Sequence, residues 1–267
     1  MTEKGFETLE MFLNNTPDIN NIPGGTYSEE LLDITLNLKE YNKLINDVTI
    51  FNNVISKKDI NKLKDFFEKL GTFEPVTVQG MDYNDNSEIG SHRITAYLPL
   101  FAESINRCIL NQFSHTFIAD DYTSTDWWQG DKLHKNYELV GISPMFRYMR
   151  YDKGGKHYAH YDAGYIYDNP YNEFRTLYSF VFYLTTNTSG ATRFIHDGQE
   201  NTKIWNRNHD DWNRETNEDE VICKSYPKEG KLIIFPHRMC HDVEEFIPEN
   251  NDEKRIIIRG DVLFKQL

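Results

Sequence analysis

The second half of the chain carries a series of short apolar and aromatic segments, separated by Gly, Asn, Pro and charged residues. They read SPMFRYMRY from Ser143, LYSFVFYLT from Leu177, KLIIFP from Lys231 and RIIIRGDVLF from Arg255. Aromatic and β-branched residues in runs of this length are typical of β-strands. Because no regular helical segments separate these runs, the pattern favours an antiparallel sheet or barrel.

Two helical segments precede these strands. Ser56 is an N-cap candidate for the first, with Asp59 at the third position, and Gly71 is expected to end that helix in a left-handed conformation. The apolar residues that would form its buried face are Ile60, Leu63, Phe67 and Leu70. The second helix is predicted over LPLFAESINRCILNQF, residues 98–113. Helices followed by strands predict an α+β fold.

The size and composition of the chain favour one principal domain. A length of 267 residues with 39% hydrophobic residues is enough for a large core. Residues 1–26 are rich in Asn and include the segment NNTPDINNIPGG, so we expect them to form an N-terminal arm. Residues 27–267 are expected to form a single domain.

The charge and the cysteines restrict the possible partners and compartment. A formal net charge of -13 disfavours binding to nucleic acid or to an anionic membrane surface. The N-terminal sequence lacks the pattern of a secretory signal, and no segment approaches the ~20 apolar residues of a membrane span. Cys108, Cys223 and Cys240 are far apart in sequence, which suits free thiols in a reducing compartment. We therefore expect a soluble, cytoplasmic protein; the oligomeric state is left open.

A candidate metal site begins at His160 and Asp162. Residues two apart on an extended chain point to the same side, so an imidazole and a carboxylate can reach one ion. His241, delivered by the strand that ends in KLIIFP, is the best candidate for the third ligand, with His157 and His237 as rivals. His157 would face away from His160 on a regular strand. Two histidines and one carboxylate are the ligand set of non-haem Fe(II) oxygenases.

A second H-x-D pattern occurs at His209 and Asp211. It lies in a long polar segment, residues 196–220, where no rigid element would hold the ligands. Together with the Tyr-rich segment 163–173, this segment is expected to border the mouth of the barrel, where loops decide selectivity.

Four motifs, taken in order, resemble the Fe(II)/2-oxoglutarate dioxygenases of the prolyl 4-hydroxylase type. They are FRYMRYDKGGKHYAHYD, RTLYSFVFYLTTNTSGATRF, PKEGKLIIFPHRMCHDV and KRIIIRGDVLF, and the resemblance extends over about residues 48–264. It implies a double-stranded β-helix, a jelly-roll barrel flanked by N-terminal helices. It also implies three cofactors or cosubstrates: Fe(II), 2-oxoglutarate and O2.

The resemblance also implies site residues. The family's iron ligands correspond to His160, Asp162 and His241. A basic residue on the last core strand binds the distal carboxylate of 2-oxoglutarate; Arg255 fits this place, and Arg259, on the same strand face, is a close rival. Tyr151 corresponds to a tyrosine that lines the 2-oxoglutarate pocket.

Two motif positions need separate comment. The family usually has Tyr or Phe where this chain has His157, which is expected to contact the cosubstrate or to alter the substrate pocket. The segment SGATRF follows a family pattern in which Gly190, Thr192 and Phe194 recur; Thr192 is interpreted as structural, and the role of Arg193 is left open.

The activity implied by the resemblance is hydroxylation of an unactivated C–H bond with release of succinate and CO2. The substrate would be a prolyl residue of a peptide or protein, or an amino-acid-like small molecule. Two alternatives remain: a non-catalytic module of the same fold that binds 2-oxoglutarate and metal, and a zinc-dependent hydrolase that uses the same three ligands.

Overall fold

A computed structural model describes most of the chain. The described residues are 25–32, 34–38, 41–45, 48–76, 90–113, 118–119, 123–125, 132–134, 137–169, 172–198 and 214–266. The predicted N-terminal arm lies almost wholly outside these ranges, as do the second H-x-D pattern and much of segment 196–220. The division into an arm and one domain therefore stays a prediction.

The two predicted helices are present. Helix α1 spans Lys57–Leu70 and helix α2 spans Pro99–Phe113. The hydroxyl oxygen of Ser56 accepts a hydrogen bond from the amide of Asp59 at 3.1 Å, as an N-cap residue does. Gly71 has a φ of -174°, which is extended backbone, so the expected left-handed end of α1 is wrong. Among the described residues, no helix combines the length and the hydrophobicity that crossing a bilayer requires.

The strands account for most of the described structure. They are β1 (Gly25–Tyr27), β2 (Tyr41–Ile45), β3 (Val48–Phe51), β4 (Glu74–Pro75), β5 (Ser91–Tyr97), β6 (Ile118–Ala119), β7 (Thr123–Thr125), β8 (Lys132–His134), β9 (Tyr137–Ile142), β10 (Met145–Tyr151), β11 (His157–His160), β12 (Ile166–Asn169), β13 (Asn172–Tyr183), β14 (Thr192–Ile195), β15 (Val221–Ser225), β16 (Leu232–Pro236), β17 (His241–Val243) and β18 (Arg255–Gln266). Each of the four apolar segments predicted as strands forms one, namely β10, β13, β16 and β18.

Two sheets build the core. The larger has the order β1-β5-β10-β18-β13-β16-β3-β2, with β4, β6, β9 and β12 attached beside this path. The smaller has the order β11-β17-β14-β15. Pairing in the core is antiparallel, including β10 with β18 and β11 with β17. The predicted α+β class with a double-stranded β-helix core is confirmed.

Apolar side chains fill the space between the two sheets. The cluster contains Met149, Val181 and Ile257 from the larger sheet and Phe194 and Val243 from the smaller one. A second cluster packs the outer side of the larger sheet against both helices, with Phe67 of α1 stacked on Tyr148 of β10 at a ring-centroid distance of 5.0 Å. Because side chains alternate between the faces of a strand, β10 serves both clusters.

The segment after Asp162 differs from the loop expected over 163–173. Ile166–Asn169 forms β12, which pairs in antiparallel register with Asn172–Arg175 at the start of β13. Two paired strands therefore follow the H-x-D pair, and of the described residues in this segment only 163–165 are irregular. Tyr165, the last of them, is 37% exposed.

Candidate metal centre

The smaller sheet brings the three predicted ligands together. His160 ends β11, and its register partner across the sheet is His241, the first residue of β17. Asp162 lies two residues beyond His160, and its amide donates to the carbonyl oxygen of His237 at 3.2 Å. One potential ligand atom from each of His160, Asp162 and His241 lies within 4.8 Å of the other two. This spacing is compatible with one bound ion.

Both imidazoles present the same nitrogen to the carboxylate. Nδ1 of His160 lies 2.7 Å from the carbonyl oxygen of Tyr158, and Nδ1 of His241 lies 2.9 Å from that of Met239. A carbonyl oxygen only accepts, so each Nδ1 carries a proton, and in the neutral ring the lone pair then lies on Nε2. The Nε2 atoms lie 3.5 Å and 3.7 Å from the two oxygens of Asp162. Backbone carbonyls thus set the tautomer that a metal ion needs.

Asp162 is held in its ionised form. Its side chain is almost fully buried, receives a hydrogen bond from the hydroxyl of Ser179 and contacts the guanidinium of Arg259. Burial alone would raise the pKa of Asp162, but Arg259, His241 and His160 outweigh it and hold that pKa well below its usual range. A metal ion would therefore meet a carboxylate that is already deprotonated.

His241 is held in its neutral form. Burial and the neighbouring ring of His160 lower the pKa of His241 to about 3, although Asp162 opposes this effect. Neutral imidazole is the form that binds metal ions, so no proton has to be displaced from His241 near neutral pH.

The position of His157 differs from the sequence expectation. The pairing of β11 with β17 shifts between His157 and His160, so strict alternation does not hold. The rings of His157 and His160 consequently lie 4.1 Å apart, and the expectation that His157 faces away is wrong. Burial, followed by the adjacent His160, lowers the pKa of His157 well below its usual value. His157 is thus a neutral imidazole beside the candidate ligands.

His237, a rival ligand, and Arg193, whose role the sequence left open, both form ion pairs with residues other than the three candidate ligands. Nε2 of His237, the rival ligand, lies 3.3 Å from a carboxylate oxygen of Asp261. Nε of Arg193 donates to Asp242 at 2.8 Å, and its Nη1 lies 2.9 Å from Glu218. Arg193 thus forms ion pairs on the smaller sheet, away from the three candidate ligands.

Arg255 lies inside the barrel and is fully buried. Its Nε donates to the carbonyl oxygen of Gly190 at 2.7 Å, its Nη2 donates to the hydroxyl of Thr192 at 3.3 Å, and its guanidinium carbon lies 4.3 Å from the ring centroid of Tyr151. Among the described residues, Nη1 of Arg255 has no hydrogen-bond partner. A buried charged donor without a hydrogen-bond partner destabilises the folded protein unless an anion binds to it.

Gly190 makes this position of Arg255 possible. A Cβ atom at Gly190 would lie 2.8 Å from Cδ of Arg255, and the φ of Gly190 is +71°. Thr192 has the structural role expected from the motif, because its hydroxyl also accepts from Tyr183 at 2.8 Å.

Arg259 occupies a different part of the same strand face. Its Nη2 contacts Asp162 and lies 4.0 Å from Asp261. The register partner of Arg259 on β10 is Arg147, whose Nη1 lies 3.3 Å from Asp261. The two rival arginines of β18 are therefore separated: Arg259 lies at the candidate ligands, and Arg255 lies two inward-facing positions away.

Comparison with known proteins agrees with this geometry. Residues 146–260 match the family described as the 2OG-Fe(II) oxygenase superfamily. The resemblance to Fe(II)/2-oxoglutarate oxygenases is confirmed over these residues. The matched segment begins in β10 and ends in β18, so it contains every candidate ligand and both rival arginines. It supports the predicted set of Fe(II), 2-oxoglutarate and O2, since this family is defined by that chemistry. A comparison with curated protein sequences gives no significant match.

Similar solved structures include two prolyl hydroxylases and one other protein. A viral collagen prolyl hydroxylase from Paramecium bursaria Chlorella virus-1 is 17% identical, with a TM-score of 0.42, covering 82% of this chain and 96% of that one. A prolyl hydroxylase from Trichoplax adhaerens is 14% identical, with a TM-score of 0.46, and the match covers 98% of this chain and 90% of that one. HygX from Streptomyces hygroscopicus, solved with nickel, 2-oxoglutarate and hygromycin B, is 10% identical, with a TM-score of 0.44, covering 82% of each chain.

Sequence reasoning missed three polar residues around the centre. Ser179 and Asp261 are fully buried, and Arg147 is largely buried. Each interrupts an apolar strand at an inward-facing position, and Ser179 and Asp261 are register partners on β13 and β18. A polar residue within a run such as LYSFVFYL is the signal that could have identified them.

Proposed function

We propose that this protein is an Fe(II)- and 2-oxoglutarate-dependent oxygenase that hydroxylates an unactivated C–H bond of a prolyl or amino-acid-like substrate. One observation carries the proposal. Two imidazoles and an ionised carboxylate converge at one end of the barrel interior, and a buried guanidinium with a donor that has no partner among the described residues lies further along the same interior. A metal-binding group at one end and a carboxylate-binding group further along suit an oxo acid that chelates the metal and carries a second carboxylate at its far end.

His160, Asp162 and His241 would hold the iron through two Nε2 atoms and one carboxylate oxygen. When bound, Fe(II) and 2-oxoglutarate supply the activation of O2, the oxidative decarboxylation that yields succinate and CO2, and the oxidation of the C–H bond. Three protein ligands leave coordination positions open for these reactants. The Tyr158 and Met239 carbonyls, with Ser179, would keep the three ligands oriented.

The distal carboxylate of 2-oxoglutarate is assigned to Arg255 in preference to Arg259. The chelating end of this molecule is at the metal, so the distal carboxylate must lie a carbon chain away from it. Arg259 contacts Asp162, a proposed ligand, and is too near the metal for that role. Arg255 is further along β18 and has Nη1 available. Tyr151, against which the guanidinium packs, would line the pocket.

The interior between these two ends is apolar. Ile257 lies between the two arginines on β18, with Met149 and Val181 beside it in the same cluster. These side chains would exclude water from the cosubstrate and keep its reaction coupled to the substrate. His157, a neutral imidazole beside His160, would contact the cosubstrate or the substrate at the metal.

The test is succinate formation from 2-oxoglutarate in the presence of Fe(II) and O2, measured across a panel of amino acids and peptides. His160→Ala should abolish it, and His196→Ala, which removes an exposed histidine outside the centre, should not. Metal analysis of protein purified without oxygen separates an iron enzyme from a zinc hydrolase. Retained turnover in His160→Ala would refute the ligand assignment. Absence of succinate from the wild-type protein across the panel would favour a non-catalytic module.

A further inference from the structure

Three arginines lie side by side on the inner face of the larger sheet. Arg147 of β10 is the register partner of Arg259 on β18 and of Thr95 on β5. Arg93 lies two residues before Thr95, so it projects from the same face as the other two. We call Arg93, Arg147 and Arg259 the arginine cluster. It adjoins the candidate metal centre through the contact of Arg259 with Asp162.

The carboxylates that the described residues place around the arginine cluster are too few to balance it. Asp162 contacts Arg259, and Asp261 lies 3.3 Å from Arg147 and 4.0 Å from Arg259. Among the described residues, no carboxylate is within ion-pair distance of Arg93. Within the part of the chain that the structure describes, three arginines therefore face two carboxylates; the imidazole of His237 is not included in this count. Like charges in a poorly solvated region repel one another, so this arrangement favours one further anion.

The proposed cofactors do not supply that anion. Fe(II) and Arg255 together add three positive charges to the interior, and the two carboxylates of 2-oxoglutarate offset two of them. The positive surplus at the arginine cluster therefore persists in the loaded protein. Asp162 would also share its charge with the metal, which leaves Arg259 less well balanced than before.

The arginine cluster is partly exposed to solvent as well as charged. The side chains of Arg147 and Arg259 keep 13% and 19% of their surface exposed. Nη2 of Arg147 donates to the hydroxyl of Tyr165 at 2.6 Å, and Tyr165 is itself exposed at the edge of the barrel. Burial lowers the pKa of Arg93, and Arg147 and Arg259 lower it further. This positive potential would act on a ligand that enters from solvent toward the metal.

We propose that the arginine cluster is a subsite for a carboxylate of the substrate, with Arg93, which has no carboxylate partner among the described residues, as its principal donor. A guanidinium can bind a carboxylate through two parallel hydrogen bonds, which fixes orientation as well as charge. The inference rests on the proposed function and narrows its substrate class. A small molecule with a free carboxylate, such as a free amino acid, fits the subsite. A prolyl residue within a protein chain does not, because its carboxyl group is part of a peptide bond.

The experiment measures binding without turnover. Protein loaded with Fe(II) and 2-oxoglutarate under nitrogen is titrated calorimetrically with small acids and their primary amides, including L-proline and L-prolinamide. The expected result is that at least one acid binds about tenfold or more tightly than its amide. Arg93→Gln should reduce this preference by about tenfold and leave the affinity for 2-oxoglutarate unchanged. Arg150→Gln is the matched control, since Arg150 of β10 points outward and packs on Phe73.

Three outcomes would overturn the inference. Every acid could bind with the same affinity as its amide, Arg93→Gln could leave the preference for acids intact, or Arg93→Gln could weaken the binding of 2-oxoglutarate instead. Thermal unfolding of both variants identifies a folding defect, and Arg93→Lys, which keeps the charge, should retain part of the preference. A failure of the proposed function would give a different result in the same experiment. Wild-type protein that binds neither metal nor 2-oxoglutarate but still prefers the acids would contradict the oxygenase assignment while supporting the subsite.

Discussion

His160 and His241 face each other across β11 and β17, and their rings lie 4.3 Å apart with both Nε2 atoms turned toward Asp162. The two residues are 81 positions apart in the chain, counted from their numbers. Their juxtaposition depends on the pairing of two short strands, and the orientation of each ring depends on a backbone carbonyl. A metal centre built in this way is sensitive to small changes in its supporting hydrogen bonds.

The hydroxyl of Ser179 is the supporting group most easily tested. Ser179→Ala removes the hydrogen bond to Asp162, and we expect the metal dissociation constant to rise by about 10- to 100-fold, as losses of such supporting contacts do. Anaerobic competition titration against a chromophoric chelator measures this change. Ser104→Ala, which removes a serine of α2 bonded to the Leu100 carbonyl, should leave metal affinity unchanged. An unaltered dissociation constant in Ser179→Ala would show that Ser179 does not support the site.

The assignment of Arg255 predicts a selective loss of cosubstrate binding. Arg255→Gln removes a charge-assisted hydrogen bond of about 1.5–3 kcal/mol, which corresponds to a rise of about 10- to 150-fold in the dissociation constant of 2-oxoglutarate. Arg255→Lys should lose less, because it keeps the charge. Metal affinity should not change in either variant. Arg107→Gln, at an exposed position of α2, is the control. If Arg259→Gln weakened 2-oxoglutarate binding and Arg255→Gln did not, the assignment would be reversed.

Gly190 should tolerate no side chain. In Gly190→Ala the new Cβ would meet Arg255, and the φ of +71° is strained for alanine. We expect a loss of about 1–3 kcal/mol in the free energy of unfolding, together with weaker 2-oxoglutarate binding. Gly198→Ala is the matched control, because a Cβ at Gly198 would contact nothing within 4 Å. Chemical denaturation measures the first effect and calorimetry the second; wild-type values for Gly190→Ala would refute the packing argument.

The metal-free protein should lose stability as the pH falls. The pKa of His241 is about 3 in the folded protein against 6.5 ordinarily, so the unfolded chain binds the proton more readily. The stability that neutral His241 contributes is complete above about pH 6.5 and declines as the pH falls toward about 3. His241→Gln should flatten this part of the stability profile measured by denaturant titration, whereas His196→Gln should not. A wild-type profile that is level between pH 6.5 and 4 would contradict the prediction.

The sequence by itself predicted both helices, the main core strands, an antiparallel sheet or barrel, and His160, Asp162 and His241 as candidate ligands. Strand-forming composition and helix capping are local properties, so β10, β13, β16, β18 and both helices could be predicted from short segments. The H-x-D spacing likewise places two ligand types close together in the chain, although Asp162 lies two residues beyond the end of β11. His241 could be nominated because an apolar strand precedes it, but its distance from His160 could not be known.

Only the tertiary structure decided which of several equivalent residues lies at the centre. Arg255 and Arg259 share one face of β18, so periodicity cannot distinguish their roles. Their contacts with other parts of the chain do, because Arg255 contacts Gly190 and Arg259 contacts Asp162. His157 turned toward His160 because of a register shift between paired strands, which depends on the partner strand. The arginine cluster likewise arises from register across β5, β10 and β18. These are long-range contacts, and local sequence patterns contain no information about which distant residue will fill the facing position.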